Sequence, residues 1–440
     1  MNYKKFFELA KSKGIEASEL YSAKKYSLSF ELFHSEVSSY STSETFSMSA
    51  RGIYNDKFGV VRTEKVDAKT PEHLVDEIIS NAKVIEKADK ALLFKGSDKY
   101  QKRNLYNKDI PAISIDQKMK NLFEIEAKLK KADPRIVEIE GVQYSEDAIE
   151  VNLVNSYGLN LKSKSNYYVY AASVVVKQGQ EVKTGYKVLL SNDPKELDID
   201  KFVDQVVENA TSKLGGTQCD SKKYPVILNP KTAASFLDPY LESASAEEVQ
   251  KHSSLFIGKL NQQVASKKVT ILEQPLLKNC FFRYFDDEGV ATVNKKIVEK
   301  GILKTYLHNL ETAQREGTTT TGNGYRGGSK IGVGFVNPSI KPGRKSEADL
   351  LAKIKTGVYI SSVAGLHAGL NPQSGNFSLQ AEGFMIRDGK LAEPLSLITV
   401  AGNLLDLFMN VREVANNAEL QLSGISAPSL LIKNLAISGK

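Results

Sequence analysis

Residues Gly365 to Phe408 read GLHAGLNPQSGNFSLQAEGFMIRDGKLAEPLSLITVAGNLLDLF. The stretch opens on a turn rich in glycine and Asn-Pro (Gly365, Gly369, Asn371, Pro372, Gly375). It continues as an alternating strand pair hinged on Asp388-Gly389 and closes on a strand from Leu395 to Val400. Asp-Gly between alternating segments is a strong hairpin signal, because a type I′ turn needs positive φ at both central residues. The sequence here predicts a shaped loop carried on a rigid sheet, the setting in which binding and catalytic groups commonly sit.

Upstream, the period of the apolar residues separates helices from strands. Tyr3 to Lys13 has helical spacing and stops at Gly14, a residue suited to the position after a helix. Glu19 to Arg62 alternates with period two, which predicts antiparallel strands. Thr70-Pro71 reads as a capped helix start, and Ser114-Ile-Asp-Gln117 as a capping box whose Ser and Gln satisfy each other's amides. About five strands are expected from Arg135 to Leu190, then a helix from Ile199 to Leu214 ending at Gly215-Gly216. After these come a buried strand Tyr224 to Leu228, a helix beyond Asn229-Pro230, and a mobile loop from Thr318 to Gly334.

The fold class expected is α+β: N-terminal segments with antiparallel sheets, then a larger, mostly antiparallel C-terminal β domain with a few helices. The expected division is 1–110, 111–216 and 217–440, with the first two segments packed together. Length favours several domains, since 440 residues exceed one ordinary core. A chain 41% apolar and 25% charged is soluble and globular in composition. Its net charge of +7 comes from lysines dispersed without a block, which makes a solvated surface and argues against a nucleic-acid partner. No window approaches a membrane span and the N-terminal apolar stretch is too short for a signal sequence, so no membrane association and a cytoplasmic location are expected. Cys219 and Cys280 are too few for a disulfide framework and are expected as free thiols.

Catalytic motifs are sparse. Gly322, Gly324 and Gly327 spell G-x-G-x-x-G, but four threonines precede it and no helix signal follows, so the dinucleotide reading fails. None of the five histidines (His34, His73, His252, His308, His367) is followed by Glu, and no two could share a helix face. A zincin site needs two such imidazoles and an activating Glu. His367 lies in the opening turn and is the one to watch. Asp286-Asp287-Glu288 could hold a hard cation, although a solvated acidic turn is the commoner meaning.

Several segments together resemble the TldD/PmbA family, the modulators of DNA gyrase, and most closely its PmbA (TldE) branch. They are Phe285-Asp-Asp-Glu-Gly-Val-Ala-Thr292, Thr321-Gly-Asn-Gly324, Gly369-Leu-Asn-Pro372, Ser374-Gly-Asn-Phe-Ser378, Glu382-Gly383-Phe384 and Thr399-Val-Ala-Gly-Asn403. The resemblance implies a metalloprotease system acting on peptides or unfolded proteins. In it, TldD-type subunits carry a His-Glu-x-x-x-His helix and a later cysteine, and PmbA-type subunits lack them and pair with a TldD-type partner. Counted from the strand Tyr224 to Leu228, the resemblance places the His-Glu pair near Asp238-Pro239, the second His near Ser243 and the cysteine near Gly424-Ile-Ser426. The resemblance thus implies no catalytic residue and no cofactor in this chain, with zinc in an active partner, and either a heterodimer with a TldD-like subunit or a homodimer. Asn371, Ser374, Asn376 and Ser378 are candidates to hydrogen-bond an extended peptide at a sheet edge, with Phe377 and Phe384 giving apolar contact. An equal alternative is that these residues only hold the turn together. Two other readings are an active metallopeptidase with a site assembled from residues such as His367, Asp286 and Glu288, and a nucleic-acid or gyrase-associated protein.

Overall fold

A computed structural model describes residues 2–86, 89–328 and 330–440. The class is α+β. Six strands, β1 (Ala17–Phe33), β2 (Glu36–Tyr54), β3 (Lys57–Thr63), β4 (Ile136–Asn155), β5 (Asn160–Gln178) and β6 (Glu181–Ser191), form one antiparallel sheet in the order β3-β2-β1-β4-β5-β6. Strands from 17–63 and from 136–191 therefore share one sheet. Where five strands are expected between Arg135 and Leu190, three long ones occur. Ladder pairing continues along each, through two register shifts in β4 at Ile136/Glu138 and Ile139/Gly141, and the turns between them fall at Asn155-Ser-Tyr-Gly158 and Gly179.

Period-two alternation gives this sheet two different faces. Leu20, Leu28, Phe30, Met48, Tyr144 and Val174 point to the side covered by helices Tyr3–Ser12, Thr70–Lys83, Ile115–Ala132 and Ile199–Thr211. Two helix starts differ from expectation. The Thr70 hydroxyl accepts from the Asp67 amide, so it closes the preceding turn and does not cap its own helix. Ser114 does accept from the Gln117 amide, but the Gln117 side chain donates to Asn121, so the box is only half formed.

In the C-terminal part, strands Lys390–Asn403, Asn376–Arg387, Thr356–Ala364, Lys222–Leu228 and Leu430–Ser438 pair in that order. The last also pairs with the first, which closes the sheet on itself. Asp388 (φ 47°) and Gly389 (φ 80°) form the expected turn between Asn376–Arg387 and Lys390–Asn403. Helix Pro230–Glu242 packs Phe236, Leu237, Tyr240 and Leu241 into the core beside this sheet. The stretch expected as a mobile loop contains a hairpin, Gly324–Gly327 with Lys330–Val333, and Asn323 is fully buried at its base. Among the described residues no helix is long and apolar enough to cross a membrane.

Glu382-Gly383-Phe384 has a structural reason for its glycine. A Cβ on Gly383 would lie 1.8 Å from the Tyr359 carbonyl oxygen, where the register with Thr356–Ala364 shifts. Gly383→Ala is expected to cost about 1–3 kcal/mol in chemical denaturation, since the backbone has to move. Gly327→Ala, with nothing within 4 Å of its Cβ, should change stability by less than about 0.5 kcal/mol. Equal losses would contradict this account.

Candidate functional site

The sheet face opposite the helices carries Glu19, Tyr21, Ser49 and Arg51, and it receives the C-terminal segment 282–288. Glu19 and Arg51 are directly opposed across β1 and β2. Glu19, with no exposed surface, accepts from Arg51 Nε at 2.8 Å and from an Arg326 Nη at 3.1 Å. Arg326 also lies over the Tyr21 ring at 4.4 Å. Asp287 pairs with Arg283 and accepts the Arg326 amide at 2.8 Å.

The neighbouring carboxylates have separate duties. Asp286 shapes the segment by accepting the amides of Glu288, Val290 and Gly324 at 2.8–3.0 Å. Glu288 accepts the Leu310 amide at 2.8 Å, and its other oxygen stands 4.0 Å from Arg51 Nη1. Burial raises both carboxyls above the ordinary range, and for Asp286 the charge of Glu288 adds to it. Burial alone would raise Asp287 as well, but Arg283 and Arg326 hold it below its usual value. Asp286-Asp287-Glu288 is therefore not the solvated acidic turn expected. All three residues are at most 4% exposed, because compensating arginines reach them from β2 (Arg51), from the strand Gly324–Gly327 (Arg326) and from the segment itself (Arg283). Only the alternation that put Glu19 among apolar residues hinted at this in the sequence.

The turn at 371–378 spends its polar groups on itself. Asn371 Oδ1 accepts the amides of Gln373 and Ser374, Ser374 Oγ accepts the Asn376 amide, and Asn403 donates to Asn376 Oδ1. Ser378 is exposed. Residues 376–378 are paired with Asn403, Gly402 and Ala401 on one side, and Leu370 bridges Phe377 on the other, so no sheet edge is open there. Phe377 is buried against Phe236, ring centres 4.9 Å apart, and cannot offer apolar contact to a peptide. Phe384 is half-buried beside Tyr359. His367 is exposed on a short helix, Leu366–Gly369.

Residues 221–439 match the family profile described as PmbA/TldA metallopeptidase C-terminal domain, and residues 108–214 that of its central domain. A crystal structure from Thermotoga maritima, titled a putative modulator of a DNA gyrase, superposes with a TM-score of 0.92 at 31% identity and covers 99% of both chains. This chain belongs to the PmbA/TldD family. The Haemophilus influenzae metalloprotease PmbA homolog is 28% identical over 329 residues, 74% of this chain and 71% of that protein. The TldE structure from Thermococcus kodakarensis shares the fold, with a TM-score of 0.91 at 21% identity over 99% of this chain and 100% of that one.

The donors that a PmbA/TldD metal helix would need can be tested on helix Pro230–Glu242. Asp238 is exposed and offers one carboxylate. Pro239 offers nothing, and Ser243, at the helix end, offers a buried hydroxyl. The helix continues through Pro239, which has no amide to donate to the Ser235 carbonyl one turn back. At the late cysteine position, Ile425 is buried and Ser426 starts a short strand. Cys219 and Cys280 are free and buried, and burial pushes the Cys280 thiol up to about 11. This donor set does not fit zinc, which takes four ligands from imidazole, thiolate and carboxylate. Among the described residues no three His, Cys, Asp or Glu side chains converge as a metal-donor group, so His367, Asp286 and Glu288 are not brought together.

Proposed function

We propose that this chain is a PmbA/TldE-like subunit without catalytic chemistry of its own, which assembles with a metal-bearing TldD-type subunit in a cytoplasmic system that degrades peptides or unfolded proteins. The observation that supports this reading is helix Pro230–Glu242, which keeps its packed face and carries Asp238-Pro239 and, just beyond it, Ser243, the positions to which the resemblance assigns the His-Glu pair and the second His. A buried face with no donor set suits a scaffold or assembly role. Peptide contact, if this chain contributes it, falls to exposed groups such as Ser378 and to residues outside the closed part of the sheet.

The test is reconstitution. The chain alone, incubated with zinc and dialysed, is expected to retain less than 0.1 equivalent of metal and to leave an unstructured peptide such as casein fragments intact. Co-expression with a TldD-type subunit carrying His-Glu-x-x-x-His should give a stable complex that cleaves the peptide. Stoichiometric zinc on the chain alone, or cleavage by it, would overturn the proposal.

A further inference from the structure

A cavity of about 400 Å³ opens between the N-terminal sheet and the C-terminal domain, beside the buried charges. Its volume lies in the range of small-molecule sites, on the order of 300–1,000 Å³. Apolar walls come from both sides: Phe58, Val60 and Leu92 from the N-terminal half, Leu310 and Ile331 from the C-terminal half. Arg51 and Glu288, 6% and 4% exposed, line its buried end with Arg326, while exposed Asp89, Lys90, Arg315 and Lys330 and half-buried Glu311 line the rest. Arg51 gives Nε and one Nη to Glu19, and its Nη1 stands 4.0 Å from Glu288 Oε1, beyond hydrogen-bond distance. Glu288 Oε2 takes the Leu310 amide. Among the described residues, then, one guanidinium nitrogen and one carboxylate oxygen are side by side with no hydrogen bond between them.

We propose that this cavity binds a free apolar α-amino acid, with its carboxylate on Arg51 Nη1, its ammonium on Glu288 Oε1 and its side chain among Phe58, Val60, Leu310 and Ile331. A donor and an acceptor 4.0 Å apart suit a head group carrying both charges on adjacent atoms. A ligand with a carboxylate alone would leave Glu288 facing an anion. Burial raises the Glu288 carboxyl, and a bound ammonium would favour its ionised form. The site is independent of the metal question and lies where the two halves of the chain meet, so occupancy should hold them together.

Calorimetric titration of the full chain with L-leucine, 3-methylbutylamine and 4-methylpentanoate tests this directly. Leucine is expected to bind at least tenfold more tightly than either single-charge analogue and to raise the Tm at 10 mM. Glu288→Gln, which keeps an acceptor for the Leu310 amide, should weaken leucine at least tenfold. Val60→Phe, which fills the cavity without touching the charges, should abolish binding with the Tm of the free protein changed by no more than about 2 °C. No heat and no Tm shift with 10 mM leucine overturns the proposal, as does equal binding of an analogue or unaltered binding by Val60→Phe.

Discussion

Arg51→Met is expected to lower the unfolding free energy by about 3–5 kcal/mol, the cost of leaving a buried charge without its partner. Glu19, with no exposed surface, would lose its bond from Arg51 Nε, and Glu288 would lose the nearby cation that partly offsets its burial. Methionine retains much of the apolar stem but not the guanidinium packed over the Phe58 ring at 5.2 Å. The double variant Arg51→Met/Glu19→Leu should recover only part of the loss, because Arg326 also depends on Glu19 at 3.1 Å. The comparison is Arg387→Met. Arg387 pairs with Glu393 on the surface, both partly exposed, and its loss should cost less than about 1 kcal/mol. Denaturant unfolding of the three variants checks this, and a loss below about 1 kcal/mol for Arg51→Met would show that the buried cluster does not hold the two halves.

Phe377→Ala should destabilise by about 3–5 kcal/mol, as phenylalanine truncation does in a packed core. Its ring meets Phe236 and lies over Gly402, whose lack of a side chain leaves the space the ring fills: a Cβ there would be 2.9 Å from Phe377 Cζ. Asn376, Phe377 and Ser378 of the first motif thus pair with Asn403, Gly402 and Ala401 of Thr399-Val-Ala-Gly-Asn403, and the two motifs share one packing contact. Any weakened assembly of Phe377→Ala should follow its loss of stability. Ser378→Ala, changed only at an exposed hydroxyl, should stay within about 0.5 kcal/mol of the parent. Thermal unfolding of both, read beside co-purification with a TldD-type subunit, separates a packing role from a contact role. Full stability of Phe377→Ala with lost assembly would restore the contact reading.

The sequence alone determined much about this protein. Local signals fixed the Asp388-Gly389 hairpin, the helix-start cap at Ser114, and the alternation of β1 and β2, because each depends on residues a few positions apart. The motifs around Phe285, Gly369 and Thr399 identified the family, and Asp238-Pro239 with Ser243 already offered no imidazole. Only the tertiary structure decided which face of each strand is dry and what lies across from it. Asp286-Asp287-Glu288 has the composition of a solvated turn, and it is buried only because β1 and β2 deliver Glu19 and Arg51, and the Gly324–Gly327 strand delivers Arg326. Phe377 sits in a loop-like motif, yet closure of the sheet by Leu430–Ser438 turns its side inward. The physical reason is the same in both cases. Burial and charge compensation are set by partners from other elements, tens to hundreds of residues away, and a local pattern specifies a side chain's direction but not the surface it meets.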